Sequence, residues 1–283
     1  MTAQELKNSI LQLAVQGKLV PQCKEDEPAS ELLKRICAEK DQNGIKGKKL
    51  PPTTDEEIPF DIPENWVWTR LDTISSITSG GTPARTNPSF WGGNIPWVKI
   101  GDIKEKYVFS SEEKITVKGL NSSSAKVFPK NTILYTIFAT IGTVGILGIE
   151  AATNQAVAGI TFYGEYCLDY MYYVLVGLKD ILVSKGKGMA QMNINQTILK
   201  NTPIPLPPLA EQERIVAKIE ELMPLIEEYG KAEEQLTKLN AEFPDKLRKS
   251  ILQQAVQGKL TERDPADEPA SEQIGRASCR ERV

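Results

Sequence analysis

Apolar and polar positions in this chain follow two periods, one helical and one strand-like, and they divide it into three zones. In residues 3–17, Leu6, Ile10, Leu13 and Ala14 fall on one helical face, and Gly17 is placed to end the helix. PASELLKRICAEK predicts a second helix, with Pro28 near its start and Ser30 as a candidate cap. GIKGKKLPPTTDEEIP is a polar, Pro-rich connector, and a domain is expected to begin near Phe60. From there the period shortens. WVWTRLDTI, IPWVKIGDI, EKITVKGL and TILYTIFATIG read as strands. LDYMYYVLVGLKDILVS is the one convincing helix in this zone, with Met171, Leu175, Leu178 and Leu182 on one face. TPIPLPPL closes the zone, and its prolines forbid a helix.

The third zone predicts a long helix from Ala210. Ile215, Ile219, Leu222, Ile226, Tyr229, Glu233 and Leu236 step alternately by four and three residues, the heptad spacing of a helix that expects a partner helix. Packing of this seam on the chain's own domain is the plainer alternative. Pro224 and Gly230 are expected to bend or loosen the helix, and Pro244 to turn it. The segment that follows repeats the start of the chain. LKNSILQLAVQGKL at Leu6 and LRKSILQQAVQGKL at Leu247 match at 11 of 14 positions, and DEPAS at Asp26 returns at Asp267, so both repeats are offset by 241 residues. That period is too long for a solenoid. It predicts duplication of a unit made of helix plus domain. The chain stops soon after the second copy starts, so a second domain is expected beyond it.

Nineteen uncharged residues, NTILYTIFATIGTVGILGI, lie between Lys130 and Glu150, almost enough to span a bilayer. Their glycines and β-branched residues predict instead two buried strands with a turn near Gly142-Thr143. The N-terminus MTAQELKN has no apolar signal core, and the four scattered cysteines make no CxxC pair. A cytoplasmic protein is expected, without disulfides or a zinc site. The chain has no histidine, which removes the commonest general base and every Ser-His or Cys-His nucleophile pair. It has no GxxxxGKS/T phosphate loop, and GTVGILG is spaced as strand-turn glycine. Catalysis is therefore disfavoured. Residues 61–208 carry a net charge of +2 against −3 for the whole chain, so any nucleic-acid contact is expected to be a local patch in the middle zone.

One segment there, SGGTPARTNPSFWGGNIPWVKIGDIKEKY, joins a glycine-rich turn to residue types that reach phosphates and base edges. Thr82, Arg85, Thr86, Asn87, Lys99, Lys104, Lys106 and Tyr107 are its candidate DNA contacts. GKGMAQMNIN adds Lys187, Gln191 and Asn193. Both loops are equally compatible with ordinary surface turns. NPSF echoes the Asp/Asn-Pro-Pro-Tyr/Phe motif of amino-methyltransferases, but Ser89 replaces the second proline and the stretch reads as a turn.

GGTPARTNPSFWGGNIPWVKIGDI, ATNQAVAGI, GMAQMNIN and above all PIPLPPLAEQERIVAKIEELM followed by LRKSILQQAVQGKL resemble the specificity subunit of Type I restriction–modification systems, from about Met1 to Ile274. Such subunits carry two target recognition domains, each followed by a similar helical region. The resemblance implies an α+β fold: a mostly-β target recognition domain at 60–208, with an N-terminal helical region and connector at 1–59. A coiled-coil-type spacer helix and the repeated segment would fill 209–272. Ile215, Ile219, Leu222, Ile226, Tyr229 and Leu236 would form the helix–helix interface. It further implies a non-catalytic reader of one half of a split double-stranded DNA target. Methylation subunits would dock on the helical region and bind S-adenosylmethionine. A restriction subunit would use ATP, leaving no cofactor and no membrane contact for this chain. The sequence departs from the family in having one recognition domain, and residues 273–283 abandon the repeat and read as non-native. A truncated gene product and a natural half-subunit that forms a homodimer both remain open, as does a structural coiled-coil adaptor without DNA readout.

Overall fold

The computed structural model describes residues 1–42, 51, 53–138, 140–186, 194–262 and 266–280. The chain divides into two units, Met1–Glu227 and Glu228–Val283. Helix α1 (Ala3–Val15) starts with a reciprocal cap: Glu5 N–H donates to Thr2 Oγ1 at 3.2 Å, and Thr2 N–H to Glu5 Oε2 at 2.8 Å. It ends at Gly17, whose φ of +68° suits a residue without Cβ. Its buried face is Ile10, Leu11, Ala14 and Val15, while Leu13 is exposed. The face is thus turned from the expected one, toward the side that meets α5. Helix α2 (Ala29–Gln42) begins one residue before Ser30, so Ser30 lies inside its first turn and not at the cap.

The strands follow in the order β1 (Val67–Arg70), β2 (Ser75–Ser79), β3 (Trp91–Val98), β4 (Tyr107–Val108), β5 (Glu113–Ile115), β6 (Val127–Phe128), β7 (Ile133–Thr136), β8 (Val144–Leu147), β9 (Ala151–Thr153), β10 (Val157–Phe162) and β11 (Pro203–Leu206). Short helices α3 (Leu71–Ile74) and α4 (Val117–Asn121) interrupt them; α5 (Leu168–Gly177), α6 (Lys179–Gly186) and α7 (Gln196–Asn201) precede β11. Three sheets result: β2-β10-β7-β8-β4, β5-β3-β9-β6, and the pair β1-β11. β7 and β8 form the expected antiparallel hairpin, with Gly142 in its turn at φ +81°. No described helix is long and apolar enough to cross a membrane. The long helical run at Leu168 breaks at Leu178 into α5 and α6, yet Met171, Leu175, Leu178 and Leu182 are all buried as expected. β1 pairs with the Pro-rich β11 across the chain, Val67 opposite Leu206 and Arg70 opposite Pro203.

Helix α8 (Leu209–Val256) runs through Pro224 and Pro244, so the expected turn at Pro244 does not occur. Proline removes the bond to the carbonyl four residues back. Those carbonyls belong to Glu220 and Asn240, both exposed residues, where water can take the place of the lost donor. The heptad seam is divided. Ile215, Ile219 and Ile226 are buried in the core of unit Met1–Glu227, with Leu222 packed at its edge. Tyr229 and Leu236 are exposed in unit Glu228–Val283. Ile215, Ile219, Leu222 and Ile226 therefore pack on the chain's own core. A short helix, α9 (Ala270–Arg280), follows.

The same core takes in Ile10, Leu11 and Val15 of α1 and Leu32 and Ile36 of α2. Helices α1 and α2 thus share one core with residues of the 60–208 segment. A buried carboxylate ties the parts together. Glu211, in the first turn of α8, accepts from Trp66 Nε1 at 2.9 Å and from Gln22 Nε2 at 2.6 Å. Burial raises its pKa, against those two donors and Arg214.

Candidate nucleic-acid interface

The loop after β2 is shaped by two glycines. A Cβ on Gly80 would stand 2.0 Å from the Thr153 carbonyl oxygen, and one on Gly81 would stand 2.4 Å from the Ala125 nitrogen. Only glycine lets this backbone lie against the ends of β9 and the 122–125 turn. Gly81 N–H donates to Thr153 O at 2.9 Å, and Trp97 Nε1–H donates to Gly81 O at 2.9 Å. Thr82 Oγ1 donates to Gln155 Oε1 on the β9–β10 turn. Asn87 Oδ1 accepts from Ser89 N–H at 3.1 Å and starts a single 3-10 turn over Pro88–Phe90, so NPSF is a turn, as read.

Arg85 leaves this loop and lies over Trp91, its guanidinium carbon 3.8 Å from the ring centre; Trp97 stands edge-on to Trp91 at 5.1 Å. Arg85 also donates to Glu113. Lys99 reaches the same carboxylate at 2.8 Å and Glu112 at 3.0 Å. Hydrogen bonds from Arg85, then from Lys99, hold the Glu113 carboxyl below its ordinary range, so it stays ionised. A second cluster forms beyond β3. Lys106 Nζ lies 2.7 Å from Asp169 and 3.4 Å from Glu220, above the Tyr173 ring at 4.7 Å. Burial opposes its charge, but Asp169 and Tyr173 outweigh this and hold the ammonium above the usual lysine value. Tyr107 Oη donates to Asp169 at 2.9 Å, and its ring stacks on the exposed Phe109.

The sequence candidates thus fall into two groups. Thr82, Arg85, Thr86, Asn87 and Lys99 surround the tryptophan pair. Lys106 and Tyr107 face α5 and the first part of α8, beside a cleft of about 430 Å³ that Lys104 also lines. Lys187, Gln191 and Asn193 lie outside the described residues. Arg85, Lys99 and Lys106 are each ion-paired, whereas Lys104, Lys114, Lys118, Lys126 and Lys130 are exposed and carry no ion pair among the described residues. Sequence reading missed Gln155, Glu113 and Asp169. Gln155 had one signal, a polar pair breaking the apolar run AATNQAVAGI. The described residues include no group of His, Cys, Asp and Glu able to hold a metal ion. The arrangement offers hydroxyl, amide and ammonium groups to a ligand.

Comparison with known proteins gives the chain's family. The family model of the Type I restriction modification DNA specificity domain matches residues 63–238. The EcoAI specificity subunit of Escherichia coli is 31% identical over 96% of this chain and 54% of its own length. The MjaIX specificity subunit of Methanocaldococcus jannaschii is 31% identical over 64% of this chain and 43% of its own. The HsdS subunit from Thermoanaerobacter tengcongensis shares the fold at a TM-score of 0.50, with 22% identity over 91% of this chain and 57% of that one. A chain from a type I R-M system solved for its complex assembly aligns at 0.53, again with 22% identity, over 91% of this chain and 58% of its own. The chain spans about half the length of the curated relatives it matches most extensively. The chain belongs to the Type I restriction modification DNA specificity domain family.

Proposed function

We propose that this chain reads one half of a bipartite double-stranded DNA target for a Type I restriction–modification complex and carries no chemistry of its own. The observation that carries the reading is the family match over residues 63–238, which takes in all three sheets and the loops around Trp91 and Trp97. Methylation subunits dock on its helical region and supply S-adenosylmethionine; a restriction subunit supplies ATP-driven cleavage. The complex works in the cytoplasm. Unpaired lysines such as Lys104 and Lys126 hold phosphates, and the Thr82–Asn87 loop approaches base edges. Tyr229 and Leu236, exposed on α8, favour pairing with another helix, which a homodimer of half-subunits or a second half of a longer chain would supply.

The test is a band shift with randomised duplexes in the presence of the methylation subunit. The proposal expects selection of one sequence motif that changes when this chain is exchanged for a relative. Retention without any sequence preference would leave a helical adaptor and remove the reading.

A further inference from the structure

The β9–β10 turn, residues 154–156, links the two segments that the sequence offers as DNA contacts. On one side is the 82–87 loop: the Thr82 hydroxyl donates to Gln155 Oε1, and Gly81 N–H donates to Thr153 O at 2.9 Å. On the other side the Ala156 carbonyl accepts from Ile137 N–H at 2.9 Å, and the Ile137 carbonyl accepts from Ile194 N–H at 3.3 Å. Ile194 belongs to the end of GKGMAQMNIN. Gln196, two residues further, donates from Nε2 to Ser79 Oγ at 2.5 Å, beside the glycine pair that opens the first loop. Gln155 is the exposed residue at the centre of this turn.

The turn is fixed from within and from behind. Asn154 Oδ1 accepts from Ala156 N–H at 3.1 Å, and Asn154 O from Val157 N–H at 3.3 Å. Asn154 N–H donates to Val98 O, at the end of β3, at 3.2 Å. Gln155 thus stands on a rigid base with its side chain in solvent. Its amide has a set orientation as well. The Thr82 hydroxyl takes one lone pair of Oε1, so the oxygen and nitrogen cannot exchange places without losing that bond. Left over are the second lone pair of Oε1 and both N–H groups of Nε2, which have no partner among the described residues. A staple between the loops needs only the acceptor, and a glutamate would serve. Free donors beside a free acceptor are what glutamine adds.

We propose that Gln155 reads an adenine in the major groove, with Thr82 as its positioning residue; the inference rests on the reading that this chain contacts DNA. Adenine presents the N6 amino group as a donor beside N7 as an acceptor. Gln155 Oε1 accepts from the amino group, and Nε2–H donates to N7. Guanine presents two acceptors there, so one of them would face Oε1 with no proton between them. Thymine offers an acceptor and a methyl group, and cytosine a donor alone. Thr82 keeps the amide from turning over, so less freedom is lost when the base pairs with it.

Band shifts with the full chain and the methylation subunit test the assignment. Selection from randomised duplexes first gives the motif. Each adenine of the selected half-site is then replaced in turn by 7-deazaadenine, which puts C–H in the place of N7. The wild-type chain is expected to bind the duplex modified at one of these adenines about tenfold more weakly than the unmodified duplex. Gln155→Glu keeps an acceptor for Thr82 but has no N–H to give, so it should bind those two duplexes equally. Thr82→Val should narrow the wild-type ratio and leave the other positions of the motif unchanged. A ratio that persists in Gln155→Glu, or a half-site in which no adenine responds with the wild-type chain, overturns the assignment and leaves DNA reading intact. The wild-type comparison depends on no variant. Absence of any selected motif with the wild-type chain overturns both.

Discussion

Arg85 has the residue type that reaches base edges, but the fold gives it first to Glu113 and to the Trp91 ring. Arg85→Ala should therefore loosen the 82–87 loop and blur base preference, while stability falls by less than about 1 kcal/mol, because the ion pair is exposed. Glu211→Ala should cost more, about 1–3 kcal/mol, by leaving Trp66 Nε1–H and Gln22 without their acceptor. Urea midpoints of the two variants check the ordering. Glu57 gives a pH signature. Its hydrogen bonds from Arg70, then from Thr54, lower its pKa to about 2. A carboxylate depressed on folding stabilises above its unfolded pKa of about 4.3. That contribution is lost as pH falls from there toward about 2. Glu57→Gln should flatten this part of the stability profile, read by urea denaturation from pH 6 to 2; an unchanged profile would remove the assignment. At this scale the sequence shows residue types but hides partners. Lys99 and Arg85 advertise positive charge, but Glu113 stands 28 residues from Arg85 and Asp169 stands 62 from Tyr107, so nothing local reveals that the charges are compensated.

Elements were legible where one period dominates. The glycines of the uncharged run marked the β7–β8 turn, and Gly17 marked the end of α1. The seam of α8 was less decidable, because a heptad on a partner helix and a stripe against the chain's own core use the same spacing. Burial divides it. Ile219→Asp with Ile226→Asp places charges in the core and should unfold unit Met1–Glu227, a loss of several kcal/mol. Leu236→Asp, exposed and outside that unit, should change the stability of unit Met1–Glu227 by less than about 0.5 kcal/mol. Thermal melts followed by circular dichroism separate these outcomes; equal melts would contradict the division. Pro244 misled because proline's cost depends on whether the freed carbonyl can reach water, which a local sequence pattern does not state.

For the whole molecule, the repeat carried most of what could be read. It announced a duplicated unit, and the fold shows that its first copy is part of a domain core and not a separate helical region. Which domain it joins was illegible, since the residues it covers, Gly177, Pro63, Trp66 and Arg214, are scattered along the chain. Under the proposed function, this chain sets a DNA target for partner enzymes. The DNA contacts then include lysines without base information. Lys104→Ala should weaken binding to all sequences alike and reduce the salt slope by about one phosphate contact, checked by titration from 50 to 200 mM salt. A slope equal to wild type would take Lys104 off the DNA. The most direct measurement is methylation mapping in a host that carries partner methylation and restriction subunits, with and without this chain. Modified adenines are expected at a bipartite sequence only when this chain is present, and one half-site should change when residues 60–208 are exchanged for those of a relative. The same methylated sequence in the absence of the chain, or after that exchange, would contradict it.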